Sequence, residues 1–173
     1  MWQKIKRTLT HQWQADDAAE RAISPSVLNQ LAAQVKDGEA GHSGEIRVYV
    51  EAGLPLSYLW RSEDMATITR QRALSMFGRL RVWDTAHNNG VLIYLLLVER
   101  RIEVVADRGL NERIAADTWP RLVQSMVSAF KAGDFELGLT QAVREVSGLL
   151  QQHFPLAEGQ SNPNELPDQP LLG

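Results

Sequence analysis

The chain of 173 residues contains no cysteine. Disulfide frameworks, zinc ribbons, thiol nucleophiles and iron–sulfur clusters all depend on cysteine sulfur and are therefore excluded. Long hydrophobic runs are absent as well. The longest is Gly90–Val98, well short of the ~20 residues that a membrane-spanning helix needs. The sequence therefore predicts no transmembrane segment.

An excess of basic residues is also missing, since 18 Lys and Arg face 21 Asp and Glu for a net charge of −3. Nucleic-acid-binding domains usually carry a basic surface, so we expect no nucleic-acid partner. The hydrophobic content of 44% and charged content of 23% are ordinary for a globular protein. This length fits one compact domain with short additions at its ends.

The first 22 residues are predicted to form an amphipathic helix, because four apolar residues recur at intervals of three and four: Trp2, Ile5, Leu9 and Trp13. Basic residues flank this stripe, but no apolar core and no cleavage site for an export signal follow it. We therefore expect a cytoplasmic protein. The stripe either packs on a protein, whether its own domain or a partner, or lies on a membrane surface.

Residues 155–173 contain four prolines and show no hydrophobic periodicity. Their charged residues are all acidic: Glu158, Glu165 and Asp168. Such a segment buries too little apolar surface to offset the entropy lost on ordering. It is predicted to be a disordered tail, and deletion from about Gln160 onward is predicted to leave the melting temperature nearly unchanged.

Between these ends, residues 23–154 alternate helical and strand patterns. Ser24–Pro25 is a helix start, and Glu45–Glu51 alternates as a strand with one buried face. A second helix is predicted over about Glu63–Phe77. The run Val91–Val98 is apolar on both sides, which is typical of a central strand in a covered sheet.

A two-residue turn at Glu99–Arg100 is predicted to return the chain as a strand over Arg101–Ala106. A short helix near Glu112, a longer one from about Thr118 and a last one after Gly133–Asp134 complete the pattern. The predicted fold class is α/β, a three-layer α/β/α sandwich whose small mixed sheet carries helices on both faces.

The predicted hairpin places Val98 opposite Arg101 and Val91 opposite Arg108. The loop 84–90 then lies beside the loop that follows the second strand. Seven polar residues would converge there: Asp84, His87, Asn88, Asn89, Asp107, Glu112 and Asp117. Carboxylate, amide and backbone oxygens are ligands for hard divalent cations, so this edge is a candidate metal site. The alternative is a solvated loop without a ligand.

The four histidines are scattered along the sequence and are predicted to be surface residues. No dinucleotide-binding, phosphate-loop or hydrolase motif is present, which gives no sign of an organic cofactor. No serine is tied by a motif to a histidine and an acid, so the sequence offers no evident nucleophile–base pair.

Five segments, taken in order and spacing, resemble the TPM domain family over about residues 24–152. They are Ser43–Val48, Asn88–Ile93, Glu99–Val104, Arg108–Leu110 with Asp117, and Phe130–Leu139. The resemblance implies an α/β/α sandwich, binding of Ca²⁺ or another divalent cation in some members, and acid phosphatase activity in at least one. Many bacterial relatives are exported, so this chain resembles a cytoplasmic branch. Asn88 stands where the family often has aspartate.

Two functions follow as hypotheses. The first is a TPM-like accessory or binding module, with a divalent cation held at the edge between loops 84–90 and 107–112. The alternative is an acid phosphatase-like hydrolase acting at the same edge, which rests on the resemblance alone.

Overall fold

A computed structural model of the chain describes Thr8, His11 and residues 18–173. The helices are α1 (Ala18–Ala22), α2 (Pro25–Glu39), α3 (Leu56–Leu59), α4 (Met65–Arg79), α5 (Arg108–Asn111), α6 (Thr118–Ala132) and α7 (Phe135–His153). The strands are β1 (Glu45–Glu51), β2 (Gly90–Leu96), β3 (Arg101–Ala106) and β4 (Leu171–Leu172). The apolar stripe predicted within residues 1–22 lies outside the described residues. No helix in the described ranges is long and apolar enough to cross a membrane.

The helix starts are set by capping side chains. Pro25 opens α2 after the cap residue Ser24. The Asp64 carboxylate accepts the Thr67 N–H at 2.8 Å, and the Asp134 carboxylate accepts the N–H of residue 137 at 3.1 Å. Each carboxylate satisfies a backbone donor that has no partner inside its helix. The predicted start at residues 24–25 and the restart after residue 133 are confirmed.

The sheet has the strand order β3-β2-β1-β4 and mixed direction. β1 runs parallel to β2 along its whole length, from Glu45 opposite Gly90 to Glu51 opposite Leu96. β2 pairs antiparallel with β3, and β4 adds a short parallel pairing to the other edge of β1. The predicted central position of the run that begins at residue 91 is confirmed.

Helices cover both faces of the sheet, as predicted. One face packs against α1, α2, α6 and α7, and its sheet side is formed by residues such as Val48 and Ile93. The other face packs against α3 and α4 through residues such as Leu92 and Leu96. Because both faces are covered, every residue of β2 is buried. The α/β/α sandwich is therefore the observed architecture.

The hairpin register differs from the prediction. Leu96 lies opposite Arg101, and Val91 lies opposite Ala106. β2 ends at Leu96, so the turn spans residues 97–100 rather than two residues. Each partner is consequently displaced by two positions. A shift of two leaves every side chain on its predicted face, since faces alternate with a period of two.

Strand β1 was predicted to bury one face, and this is wrong. All of its residues are buried, including the charged Glu45, Arg47 and Glu51. Alternating charged residues in a strand normally indicate a solvated face. Here α4 and the C-terminal segment cover that face, and their polar groups bond to the charges. The local pattern could not reveal this cover.

The prediction of a disordered tail over residues 155–173 is corrected by the structure. Residues 160–173, here named the strap, lie along β1. The Arg47 guanidinium donates to the carbonyl oxygens of Pro167 and Gln169, the latter at 2.9 Å. The Leu166 N–H donates to Glu45 at 3.0 Å, and the Leu166 side chain is buried. Polar side chains of β1 hold this proline-rich backbone, and composition alone does not show such contacts.

We expect Leu166→Ala to destabilise the protein by about 2 kcal/mol, the low end for a buried leucine, because a strap can detach locally. Urea unfolding followed by circular dichroism measures this loss. Leu137→Ala is the matched control, since Leu137 is 54% exposed. Equal stability of the Leu166 variant and wild type would show that the strap contributes nothing to folding.

Candidate functional site

The two loops of the predicted site are in contact. The Asp107 N–H donates to the Gly90 carbonyl at 2.9 Å, and the Gly109 N–H donates to the Asn88 carbonyl at 2.9 Å. A β-carbon on Gly109 would lie 2.6 Å from the Asn88 carbonyl oxygen, so this close approach requires glycine. The predicted adjacency of the 84–90 and 107–112 loops is confirmed, although the register that suggested it was displaced.

Backbone bonds fix the shape of the 84–90 loop. The Asn88 backbone is left-handed (φ 52°), a conformation that asparagine tolerates better than most residues. The Thr85 hydroxyl accepts the Asn89 N–H at 3.1 Å. The Asn89 side chain is fully buried, and its amide donates to the Ser43 carbonyl at 3.1 Å. The loop is thereby tied to the start of β1.

Two acceptor atoms at this edge are buried without a hydrogen-bond partner in the described part of the chain: Asn89 Oδ1 and Asp107 Oδ2. The other carboxylate oxygen of Asp107 accepts the Arg108 N–H at 2.7 Å, which fixes the orientation of the carboxylate. A buried acceptor without a partner costs about 1–3 kcal/mol. Such atoms in a native fold point to a water or an ion that satisfies them.

The remaining candidates face elsewhere. Asp84 forms an exposed ion pair with Arg81. Asp117 forms an exposed ion pair with Arg121 at 3.2 Å. Glu112 is exposed at the end of α5, and no hydrogen bond in the described ranges joins it to the 84–90 loop. Of the seven residues predicted to converge, four are exposed, and the other three lie in the two segments that bond to each other: Asp84, His87, Glu112 and Asp117 in the first group, and Asn88, Asn89 and Asp107 in the second.

Carboxylates are sparse at this edge. Among Thr8, His11 and residues 18–173, no group of three or more His, Cys, Asp or Glu residues is arranged to hold a metal ion. The oxygens offered by Asn88, Asn89 and Asp107 carry one negative charge between them. A cation here would need backbone carbonyls and water to complete its coordination.

A second polar cluster, which the sequence analysis missed, surrounds the start of β1. The Glu39 carboxylate accepts the Ile46 N–H at 3.0 Å. The pKa of Glu39 is raised to about 8, chiefly by burial and to a smaller extent by the nearby charges of Glu45 and Asp168. Burial likewise raises the pKa of Glu45. Acidic residues from α2, β1 and the strap thus share one small volume, although they lie far apart in the sequence.

At the other end of β1, Glu51 forms a buried ion pair with Arg72 of α4. Arg72 Nε lies 2.9 Å from Glu51 Oε2, and the Tyr94 hydroxyl donates to the same oxygen at 2.6 Å. Burial alone would lower the pKa of Arg72, but its bonds to Glu51 hold that pKa above the usual range. All charges are paired, so this cluster joins three elements and leaves no open ligand position.

His42 is fully buried, so its prediction as a surface residue is wrong. Its Nδ1 lies 3.0 Å from the Gly44 carbonyl and must carry the proton, while its Nε2 lies 3.0 Å from the Ser147 hydroxyl. Burial lowers the pKa of His42 to about 4, which makes it a weak base. A β-carbon on Gly38 would lie 2.3 Å from Ser147 Oγ, so the α2 backbone packs against this hydroxyl. The pair fastens the connection that follows α2 to α7.

His11 is also buried, and its prediction as a surface residue is wrong as well. Its Nδ1 accepts the Leu54 N–H at 3.1 Å, and its Nε2 lies 3.0 Å from a Glu99 carboxylate oxygen. Because Nδ1 accepts a hydrogen bond, Nε2 carries the proton that is donated to Glu99. His11 therefore bonds to the β1–α3 connection and to the turn between β2 and β3.

These features define an α/β/α sandwich domain with a polar loop edge beside the start of its parallel strands. The sequence profile of the TPM domain family matches residues 16–149, and the chain belongs to this family. A comparison with curated proteins found no match.

Solved structures share the fold. The BA42 protein of the psychrophilic bacterium Bizionia argentinensis is 26% identical, with a TM-score of 0.71, over 87% of this chain and 95% of that one. The N-terminal domain of a protein from P. gingivalis is 20% identical, with a TM-score of 0.59, over 79% of this chain and 83% of that one. The second likeness shows the fold alone.

Glu39 and His42, beside the start of β1, have pKa values shifted in opposite directions. These shifts predict a pH dependence of stability. Glu39 has a raised pKa (4.5 to about 8), so the stability it contributes falls as pH rises through that range. His42 has a lowered pKa (6.5 to about 4), so its contribution is lost as pH falls through that range. Between pH 6.5 and 8 the raised pKa of Glu39 makes the free energy of unfolding fall, by up to about 1.4 kcal/mol per pH unit from this group, and the raised pKa of Glu45 acts in the same direction.

Glu39→Gln should flatten that slope, because glutamine mimics the protonated carboxyl and still accepts the Ile46 N–H. Urea unfolding at several pH values measures it. Glu136→Gln, at an exposed position on α7, should keep the wild-type slope. A slope that Glu39→Gln leaves unchanged would assign the dependence to other groups.

Proposed function

We propose that this TPM domain is a binding module, and that its ligand is a hard divalent cation, Ca²⁺ or a similar ion, at the edge between loops 84–90 and 107–112. The observation that supports this is the pair of buried acceptors without partners, Asn89 Oδ1 and Asp107 Oδ2. They come from two loops whose backbones bond to each other, so the spacing between the loops is fixed. A cation bound between the two loops would accept lone pairs from both atoms.

The donor set predicts weak binding. Ca²⁺ takes six to eight oxygen ligands, and its affinity rises with the negative charge of the site. Asp107 supplies the fixed carboxylate, and the Asn88 and Asn89 amides supply neutral oxygens. We expect a dissociation constant on the order of 10⁻⁴ to 10⁻³ M, as in other sites of low charge.

Binding without catalysis is the better-supported function. A hydrolase would need a nucleophile and a base directed at this edge. The contact between Ser147 of α7 and His42 of the α2–β1 connection lies elsewhere, with the hydroxyl packed against Gly38. No contact in the described part of the chain specifically favours the phosphatase alternative. A phosphatase assay over a range of pH tests it. A protein or membrane partner and a cytoplasmic location stay predictions.

Calorimetric titration with Ca²⁺, Mg²⁺ and Mn²⁺ tests the cation site. Asp107→Asn should weaken binding at least about fivefold, because it removes the charged ligand, worth at least ~1 kcal/mol. Asn88→Asp should strengthen binding by adding a carboxylate to the same loop. Asp117→Asn is the matched control, since it removes an equal charge from an exposed ion pair and should leave affinity nearly unchanged.

Two results would contradict the proposal. The first is no heat of binding for either the wild type or Asn88→Asp. The second is equal weakening by Asp107→Asn and Asp117→Asn, which would indicate diffuse attraction of cations to a negative surface rather than a site.

A further inference from the structure

The strap occupies a groove along the outer edge of β1. Its backbone pairs with Tyr49 and Val50 through β4, and its carbonyls accept from Arg47. On the N-terminal side of β4, the strap is held by hydrogen bonds that involve side chains rather than by strand pairing. The Asn162 amide, for example, donates to the carbonyls of His42 and Gly44 at 3.0 and 3.2 Å. The domain therefore binds an extended peptide that is part of its own chain.

The strap also reaches the loop of the candidate cation site. Both carboxylate oxygens of Glu165 lie 3.1 Å from the Ala86 N–H. Ala86 and Glu165 are both exposed, so this contact sits at the rim of the groove.

Docking of the strap carries an electrostatic cost. It brings Asp168 beside Glu39 and Glu165 beside Glu45, and the strap acid of each pair helps to raise the pKa of the other acid, so the charged forms are disfavoured. Glu45 Oε1 and Asp168 Oδ1 are also buried without partners in the described part of the chain. These penalties offset part of the stabilisation from Arg47 and from the buried Leu166. The bound strap is therefore open to displacement.

A short exposed connection joins the strap to α7. Before it, the Leu156 N–H donates to the Gly41 carbonyl at 3.3 Å, and beyond it the strap contacts begin. Residues 157–160 form an exposed turn with Gly159 in the left-handed region (φ 81°) and no atom near its missing side chain. An extended rather than turned connection would carry the strap away without disturbing the core.

We propose that the β1 groove binds the strap of a second copy of this chain, so that two copies exchange residues 160–173 reciprocally. A second copy is the occupant that the contacts favour, because its strap offers the same carbonyls to Arg47 and the same leucine to the buried pocket. Exchange recreates every strap contact and alters only the connection, which is the condition for a low-cost symmetric dimer. This inference does not depend on the cation site.

The lack of cysteine makes a direct test possible. One preparation carries Ala86→Cys, and a second, tagged preparation carries Glu165→Cys. The two are mixed at up to about 1 mM, comparable to the effective concentration of a short tether, and treated with a short bis-maleimide. Strap exchange predicts a covalent dimer that contains one copy of each, with a yield that rises with concentration.

Two controls define the background. Ala86→Cys mixed with Leu137→Cys places the second thiol at an exposed position outside the strap, and its yield measures random collision. A chain with both Ala86→Cys and Glu165→Cys, cross-linked internally and purified as monomer, cannot exchange its strap. Light scattering measures the molar mass, and hence the oligomeric state, of the unmodified wild type and of this locked chain. This measurement does not depend on cross-linking through introduced cysteines.

The expected result is cross-linking well above the Leu137→Cys background, together with a concentration-dependent dimer of the wild type that the locked chain does not form. Yields equal to background with a monomeric wild type would overturn the proposal. A dimer that persists in the locked chain would also overturn it, since that dimer would use another surface.

Discussion

The buried charges of β1 are the constraint on which the other elements depend. Glu45, Arg47 and Glu51 lie on one face of a strand that is covered on both sides. A buried charge without a partner costs several kcal/mol, so each needs polar groups from another element. Glu51 receives Arg72 from α4 and Tyr94 from β2, whereas Arg47 and Glu45 receive the strap backbone. The position of the second helical layer and of the strap follows from these three side chains.

Much of the architecture was predictable because local rules and tertiary packing agree. Three features depend only on near neighbours in the sequence, and each element was correctly identified from them: the serine cap before Pro25, the alternation in β1 and the apolar residues on both faces of β2.

The hairpin shows the limit of such rules. Glu99–Arg100 is an acceptable two-residue turn, yet β2 ends at Leu96 and the turn takes four residues. Hydrophobic alternation fixes the faces of a strand, but a register displaced by two satisfies it equally well.

The contact between the two loops of the candidate site was predicted correctly, whereas several of its predicted residues lie at the surface. Any hairpin of β2 and β3 brings the loop before one strand beside the loop after the other, so the contact between Asn88 and Gly109 followed from topology. The exposed acids of that edge are held in ion pairs within their own turns, such as Asp84 with Arg81, and composition does not reveal this. The acidic cluster at the start of β1 was missed for a different reason. Its members come from α2, β1 and the strap, so no local window contains them.

The strap and the candidate loop are physically joined, and this has a thermodynamic consequence. Glu165 bonds to Ala86, and Asn89 of the same loop bonds to Ser43 just before β1. A cation that binds the loop more tightly when the strap is docked must stabilise docking by the same factor, and one that prefers the undocked loop must favour release. Because Glu165 brings negative charge to the rim of the loop, a docked strap favours cation binding electrostatically. Docking of the strap, rather than its exchange between copies, is therefore the step that would be coupled to cation affinity at this loop, with a sign set by the charge of Glu165.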